Sequence, residues 1–186
     1  MLIAPLAPEH AEDAARLHIL GQPGTFLTAL GPDVLAVLYR ALPQTPGGFG
    51  YAALEVPGSA GMETRPTSPA STEDAPSGSA RPVLIGYVSA TTNIGGLFAA
   101  MATQRLREFL PPLLRRYTHD PRLALRSVQT ALYPLLVREP NAESGAEPSA
   151  ELLSIMVEPA RRSHGTGALL VEALLQAARN RGLAAV

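Results

Sequence analysis

The sequence predicts a mixed α/β (α+β) domain, and three observations support this class. Apolar residues recur at helical spacing in the segment Val34–Leu42. Two strand-like segments, Phe49–Val56 and Pro82–Thr92, stand on either side of a long polar loop, which predicts an antiparallel pair. Near the C-terminus an apolar strand, Glu151–Val157, leads through a glycine-containing turn into a helix over Gly165–Arg181.

The composition is that of a single globular domain. A chain of 186 residues, 46% of them hydrophobic, is long enough to bury a core. Its net charge of −1 gives no indication of a nucleic-acid or membrane partner. Because the chain has no cysteine, disulfides, thiolate nucleophiles and cysteine-based zinc sites are excluded. The four histidines never show H-x-x-x-H spacing, so we predict no metal site.

The N-terminal residues do not have the pattern of a secretory signal. Met1–Asp13 contains no basic segment followed by an apolar one, and acidic residues follow at once. No apolar run approaches the length needed to span a bilayer. We therefore expect a cytoplasmic protein without a membrane partner.

The first elements are predicted in the order strand, helix, helix. Leu2–Leu6 is a short strand, and Pro8 suits the first turn of a helix that ends between Gly21 and Gly24. A second helix begins at Gly31-Pro32-Asp33.

Three segments are expected to interrupt the domain, which otherwise covers residues 1–186. Residues 57–82 are rich in Pro, Ser and Gly and nearly free of large apolar side chains, so we predict a flexible insertion. Residues 94–137 read as a helical insertion, with helices over Leu97–Leu110 and Pro121–Val137 separated by the breaker Pro111-Pro112. Residues 138–150 form a polar linker.

The turn before the last helix has the features of an anion site. The first amides of a helix have no intrahelical partner, and the helix dipole adds positive charge there. Gly165 and Gly167 lack a Cβ, so a ligand can approach the backbone, and Arg162 can reach the same anion. Pro159 ends the pairing of the strand because it has no N–H.

Two common phosphate-binding loops do not match this turn. The G-x-x-x-x-G-K-[ST] loop requires a lysine where Ala168 stands, and G-x-G-x-x-G requires a third glycine where Leu170 stands. What remains is V-x-P-x-x-R-x-x-G-x-G-A, from Val157 to Ala168. It resembles the coenzyme A signature of the GNAT superfamily of acyl-CoA-dependent N-acyltransferases of bacterial type. The alternative is an ordinary β–α turn in which the glycines only permit tight packing.

The resemblance implies a mixed, mostly antiparallel sheet flanked by helices and a β-turn-α motif that binds coenzyme A. The pyrophosphate would rest on the amides from Arg162 to Ala168, and the pantetheine arm would run beside the strand near Ile155–Val157. Acetyl-CoA or another acyl-CoA would be the co-substrate, with no metal, and an amine would attack the thioester directly in a ternary complex. The oxyanion would be held by a backbone N–H near Val157. The cofactor-binding residues implied are Ile155, Met156, Val157, Arg162, Ser163, His164, Gly165, Thr166, Gly167 and Ala168.

A general base is harder to identify. Glu151 is the only acidic residue on the motif strand, and in an ideal strand it shares a face with Leu153, Ile155 and Val157. Members of the family often use a glutamate on this strand, although Glu151 can equally be a solvated residue beside the polar linker. His119 and Tyr87 are weaker candidates.

The family pattern continues beyond the residues of this sequence. It normally adds a strand, a helix with an asparagine and a tyrosine, and closing strands, whereas Leu183–Val186 only begins such a strand. We therefore expect the closing strands to be absent and the chain to be a fragment or a shortened form, whose open edge a homodimer could cover. The acceptor would be an amine on a small molecule, peptide or protein. A non-catalytic acyl-CoA-binding module and a nucleotide-phosphate binder remain alternatives.

Overall fold

The computed structural model describes residues 1–56, 81–124 and 148–186. The predicted flexible insertion lies almost wholly outside these residues, as do most of the predicted helix Pro121–Val137 and of the polar linker. Of that helix only residues 121–124 are described, and they are helical.

The described strands form one antiparallel sheet in the order β1-β2-β3-β4. Their bounds are β1 Leu2–Pro5, β2 Gly48–Glu55, β3 Val83–Thr91 and β4 Glu151–Val157. The predicted pair is confirmed, because β2 pairs with β3 over the length of both strands. The sheet is flanked by helices, as the fold class predicts, and the described strands do not close it.

Six α-helices are described in full. Their bounds are α1 Ala11–Gly21, α2 Phe26–Leu30, α3 Pro32–Ala41, α4 Ile94–Thr103, α5 Leu106–His119 and α6 Thr166–Asn180. Short 3-10 turns precede α1, follow α3 and precede α6. The predicted start of α3 is confirmed, since Gly31 caps it at φ 94° and Pro32 occupies its first turn. No helix within the described ranges is long and apolar enough to cross a membrane.

Each face of the sheet is covered by its own apolar core. On one face α1, α3 and α4 pack against residues that include Leu54, Leu84 and Tyr87. We call this the α1/α3 face. On the other face α6 packs against residues that include Ile85 and Val88, and we call it the α6 face. The motif strand β4 therefore lies between two helical layers.

The predicted break at Pro111-Pro112 is wrong. Helix α5 runs through both prolines, and the chain breaks earlier, between the end of α4 at Thr103 and the start of α5 at Leu106. Each proline removes one helical hydrogen bond, to the carbonyls of Arg107 and Glu108 respectively. Both of those residues are solvent-exposed, so water can bond the carbonyls and the helix can continue.

The chain after α6 follows the prediction only in part. Gly182 stops the helix at φ 70°, as expected of a C-terminal glycine. The predicted strand over Leu183–Val186 is here a single parallel bridge between Ser149 and Ala185. Two backbone hydrogen bonds hold it, Ala150 N–H to Ala185 O at 3.0 Å and Ala184 N–H to Pro148 O at 2.8 Å.

Candidate functional site

A β-bulge at Leu153 divides the motif strand into two parts. Ser154 is opposite Ser89, but Leu152 is opposite Ala90, so Leu153 is the extra residue. The bulge interrupts the alternation of faces. Leu153 packs on the α1/α3 face, while Ile155 packs on the α6 face.

Glu151 therefore shares a face with Leu153, as predicted, but the predicted shared face with Ile155 and Val157 is wrong. Glu151 is opposite Thr91, which by the alternation of β3 belongs to the α1/α3 face, and directly opposed residues share a face. The carboxylate is solvent-exposed. In an ideal strand these residues would share a face, but the bulge moves Glu151 to the face opposite Ile155 and Val157.

The backbone groups of Ile155 and Val157 lie on the outer edge of β4, which no other described strand pairs with and which we call the open edge. The hydrogen bond from Glu158 N–H to Ile85 O, at 2.8 Å, fixes which residues of β4 bond to β3. Hydrogen-bonded and non-hydrogen-bonded pairs alternate in an antiparallel ladder. The backbone N–H and C=O of Met156 therefore point toward Tyr87 of β3, whereas those of Ile155 and Val157 point away from β3. Met156 also buries its side chain on the α1/α3 face. Of the three predicted strand residues, two present their amides to the open edge.

The turn after β4 leaves the first amides of α6 without a capping side chain. Gly165 caps the helix in the left-handed region, at φ 78°, and makes no side-chain hydrogen bond to it. Ser163, two residues earlier, also has a positive φ of 66°. The first helical hydrogen bond from the turn runs from Leu169 N–H to Gly165 O. The amides of the residues between these two are therefore free to bind an anion.

Two ion pairs anchor this turn to the rest of the fold. Glu158 lies 3.5 Å from Arg16 of α1, and Arg161 pairs with Glu55 of β2. Arg162 Nε donates to Val157 O at 3.2 Å. In the described part of the chain no carboxylate pairs with Arg162, so its guanidinium can still meet an anion.

A groove of about 520 Å³ joins the open edge to the start of α6. Ile155 contributes from β4, and the rest of the lining is one face of α6: Gly167, Ala168, Val171, Glu172, Leu175 and Arg179. The first two of these helical residues belong to the sequence motif, and the other four were not predicted. Val171, Leu175 and Arg179 follow one another at intervals of four residues, with Glu172 beside them, so they lie on one face of α6. Only the position of β4 determines that this face lines the groove.

A larger cavity of about 770 Å³ lies between α1, α3 and α5. Its lining carries charges of both signs, including Arg16, Asp33 and Arg115, and contains no residue of β4 or of the turn. The smaller groove is the one that meets the motif.

The remaining predicted residues are dispersed. His164 lies in the turn with its side chain exposed, and its Nδ1 is 2.8 Å from Arg162 O. Thr166 is buried at the start of α6. His119 is exposed at the end of α5, with its Nδ1 2.8 Å from Arg115 O, and Tyr87 is fully buried. Within the described ranges no group of three or more His, Cys, Asp or Glu side chains is arranged to hold a metal.

The family comparison matches the same end of the chain. Residues 131–186 match the model of the acetyltransferase (GNAT) family, a range that contains β4, the turn and α6. The part of the chain that contains the motif is thus similar to GNAT acetyltransferases. A solved structure of AAC(6')-Iy in complex with the bisubstrate analogue CoA-S-monomethyl-acetylneamine is similar, with 14% identity over 99% of this chain and 75% of that chain, and a TM-score of 0.49. No curated protein matches the sequence.

The chain also contains a buried polar network beneath the motif strand. The hydroxyl of Tyr39 is the centre, 2.6 Å from His18 Nδ1, 2.6 Å from the Tyr87 hydroxyl and 3.1 Å from Ser154 Oγ. Ser154 Oγ is in turn 3.1 Å from Ser89 Oγ. Burial raises the pKa of both tyrosine hydroxyls, so they are neutral at physiological pH. The residues come from α1, α3, β3 and β4, and no sequence pattern indicated that they meet.

We expect the chain to lose stability as the pH falls below about 6.5. Burial lowers the pKa of His18 from its ordinary value of 6.5, and in the described structure Nε2 has no hydrogen-bond partner to stabilise the imidazolium. The unfolded chain therefore binds this proton at a higher pH than the folded chain does. The free energy of unfolding keeps its full value above pH 6.5 and declines below it, by at most about 1.4 kcal/mol per pH unit for one proton. His10, whose pKa is also lowered chiefly by burial, adds in the same direction.

Urea unfolding at pH 7.5 and at pH 5.0 measures this effect. His18→Phe should show a smaller difference between the two pH values than the unmodified chain. The control is His164→Gln, which changes an exposed imidazole and should leave the difference as it is. An equal pH dependence in the His18→Phe variant would contradict the assignment.

Proposed function

We propose that the chain binds acyl-coenzyme A along β4 and the following turn, and transfers its acyl group, acetyl in the simplest case, to an amine. One observation carries the proposal. The open edge of β4 offers the backbone groups of Ile155 and the N–H of Val157, whose carbonyl already accepts from Arg162 Nε, and it leads through the turn to the uncapped start of α6. A linear ligand with an amide-containing arm and a pyrophosphate fits this sequence of a strand edge followed by an anion site.

The groove supports the same arrangement. In this proposal the pyrophosphate lies on the amides at Gly165–Ala168, with Arg162 beside it, and the pantetheine arm bonds to the edge at Ile155 and Val157. Gly167 lies in the first turn of α6 and lines the groove. A Cβ placed there would meet only Val157 Cγ2, at 3.9 Å. The protein itself therefore has room for a side chain at this position, and the free space is available to the ligand.

The chemistry requires three steps that the chain must support. The amine loses a proton, because an alkylamine with a pKa near 10.4 is mostly ammonium at neutral pH. Its nitrogen then attacks the thioester carbonyl, and a backbone N–H of the open edge bonds the oxyanion. The carbon–sulfur bond breaks, and the thiolate leaves and takes up a proton. For the first step Glu151 is our candidate base, acting directly or through water, because its carboxylate is exposed on β4.

The first test of the proposal is binding. A thermal melt with acetyl-CoA at 100 times its dissociation constant should add about 2.7 kcal/mol of apparent stability. ADP at the same concentration should shift the melt less, because it lacks the pantetheine arm. An equal shift with ADP would favour a nucleotide-phosphate site, and no shift with either would contradict the proposal.

The second test is turnover. Release of free thiol from acetyl-CoA is followed with a thiol reagent in the presence of a panel of amines. Because the chain contains no cysteine, the protein adds no thiol background. Binding without thiol release for any amine would favour a non-catalytic acyl-CoA-binding module.

A further inference from the structure

The buried network meets the motif strand at its most irregular point. Ser154 directly follows the bulge residue Leu153 and directly precedes Ile155, whose amide lies on the open edge. A bulge disrupts the ladder locally and leaves its extra residue unpaired. The ladder alone therefore fixes the direction of the Ile155 amide less well here than elsewhere in β4.

The side chain of Ser154 supplies the missing restraint. Its Oγ lies 3.1 Å from the Tyr39 hydroxyl, 3.3 Å from the Tyr87 hydroxyl and 3.1 Å from Ser89 Oγ. These partners come from α3 and from β3, so the hydroxyl group of Ser154 is tied to two separate elements. Ser154 is 6% exposed and its two tyrosine partners 3% and 0%, so water does not compete for these hydrogen bonds.

Tyr39 is the residue on which this network depends. Its hydroxyl contacts His18, Tyr87 and Ser154, and its ring lies edge-on against that of Tyr87, with centroids 5.0 Å apart. Buried polar groups cost folding free energy unless they are hydrogen-bonded to one another. When they are, the network holds its residues rigidly in place. Removal of the Tyr39 hydroxyl would release three of these contacts at once.

We propose that Tyr39 is a positioning residue for acyl transfer: through Ser154 it fixes the part of β4 after the bulge, and so directs the Ile155 amide toward the acyl thioester. The inference rests on the proposed function, because only the proposed binding of acyl-coenzyme A along β4 puts the thioester near Ile155. Tyr39 itself touches neither the groove nor the turn. Its effect passes through Ser154 to the backbone.

The first experiment needs no activity. Hydrogen exchange of a peptide covering β4 is compared between the unmodified chain, Tyr39→Phe and the control Tyr51→Phe. Tyr51 is a tyrosine of β2 on the α6 face, outside the network. We expect faster exchange of β4 in Tyr39→Phe and in Ser154→Ala, and no change in Tyr51→Phe. Unchanged exchange of β4 in both network variants would overturn the proposal even if the enzyme were active.

The second experiment separates positioning from general loss of structure. With acetyl-CoA and an accepted amine, at a temperature where every variant is folded, Tyr39→Phe should lower kcat by about 10- to 100-fold, because small displacements of reacting groups cost factors of this size. The KM for acetyl-CoA should stay within about twofold, since the anion site is untouched. A rise in KM with unchanged kcat would overturn the proposal.

A double-variant comparison completes the test. Since Tyr39 is proposed to act through Ser154, Tyr39→Phe combined with Ser154→Ala should lower kcat no further than the more damaging single variant. Independent, multiplying losses would mean that Tyr39 acts by another route. If the unmodified chain binds acetyl-CoA but transfers no acyl group, the proposed function fails while the exchange experiment still decides whether Tyr39 holds β4.

Discussion

Gly167→Asp is expected to weaken the binding of acetyl-CoA by about tenfold or more, while the protein becomes equally or slightly more stable. The carboxylate would stand at the first turn of α6, on the wall of the groove. There the carboxylate repels a phosphate in the proposed site. A repulsion of about 1.4 kcal/mol already weakens the affinity tenfold. The folded chain has room for the side chain, because the nearest atom to a Cβ is Val157 Cγ2 at 3.9 Å.

The gain in stability has two sources. Aspartate is a better helix former than glycine, and a negative charge in the first turn interacts favourably with the helix dipole, by about 0.3–1 kcal/mol. Binding and stability thus change in opposite directions, which a general defect in folding would not produce. Titration calorimetry with acetyl-CoA and urea unfolding measure the two quantities.

The matched control is Gln176→Glu. It adds the same charge to an exposed position of α6, well away from the turn, and should leave acetyl-CoA affinity nearly unchanged. If Gly167→Asp binds acetyl-CoA as tightly as the unmodified chain does, the anion site is not at the start of α6. If both variants lose affinity equally, the effect belongs to net charge and not to the site.

The sequence predicted the elements that depend on local signals. The start of α3 follows from Gly31-Pro32, and the end of α6 follows from Gly182, because both glycines adopt positive φ angles that other residues avoid. The antiparallel pair β2-β3 could be predicted across a long insertion because its two strands are continuous apolar segments. The motif at Val157–Ala168 could be recognised since its residues are adjacent in the chain.

Features that depend on tertiary pairing could not be predicted. The bulge at Leu153 is a mismatch of register between two strands, so no property of E-L-L-S-I-M-V alone locates it. It places Glu151 and Ile155 on opposite faces, so only the predicted shared face of these two residues was wrong. The predicted break at Pro111-Pro112 was wrong for the opposite reason. Two prolines are a strong local signal for a helix end, but in the exposed first half of α5 water can replace the lost hydrogen bonds.

The hydroxyl network was missed because each member looked ordinary in sequence. By sequence Tyr87 is a residue of an apolar strand and a weak catalytic candidate. In the structure it is buried, and its hydroxyl is hydrogen-bonded to that of Tyr39. His18 and Ser154 carried no signal at all. Such networks assemble residues far apart in the chain, here from four elements, and only the packed fold places their hydroxyls within hydrogen-bond distance.

Leu170→Ala is expected to cost about 2–5 kcal/mol of folding free energy, the range for removing a buried leucine side chain. Leu170 is completely buried at the start of α6. A Cβ placed on Gly86 of β3 would come within 3.3 Å of its Cδ1, so the methyl group occupies the space that this glycine leaves free. The neighbouring Leu169 is 42% exposed, and Leu169→Ala should cost less than about 1 kcal/mol. Urea unfolding of both variants provides the comparison.

The same variant tests how the anion site is held in place. The direction of the turn amides is set by α6. Leu170 packs the first turns of α6 against Gly86 of β3. If Leu170→Ala remains folded at low temperature, its affinity for acetyl-CoA should fall below that of Leu169→Ala, because the start of the helix can shift over the cavity left behind. Equal affinity in the two variants, together with the expected loss of stability, would mean that the turn is positioned by its ion pairs, Arg16–Glu158 and Arg161–Glu55, rather than by the packing of the helix. Arg16→Gln would then become the variant that weakens binding.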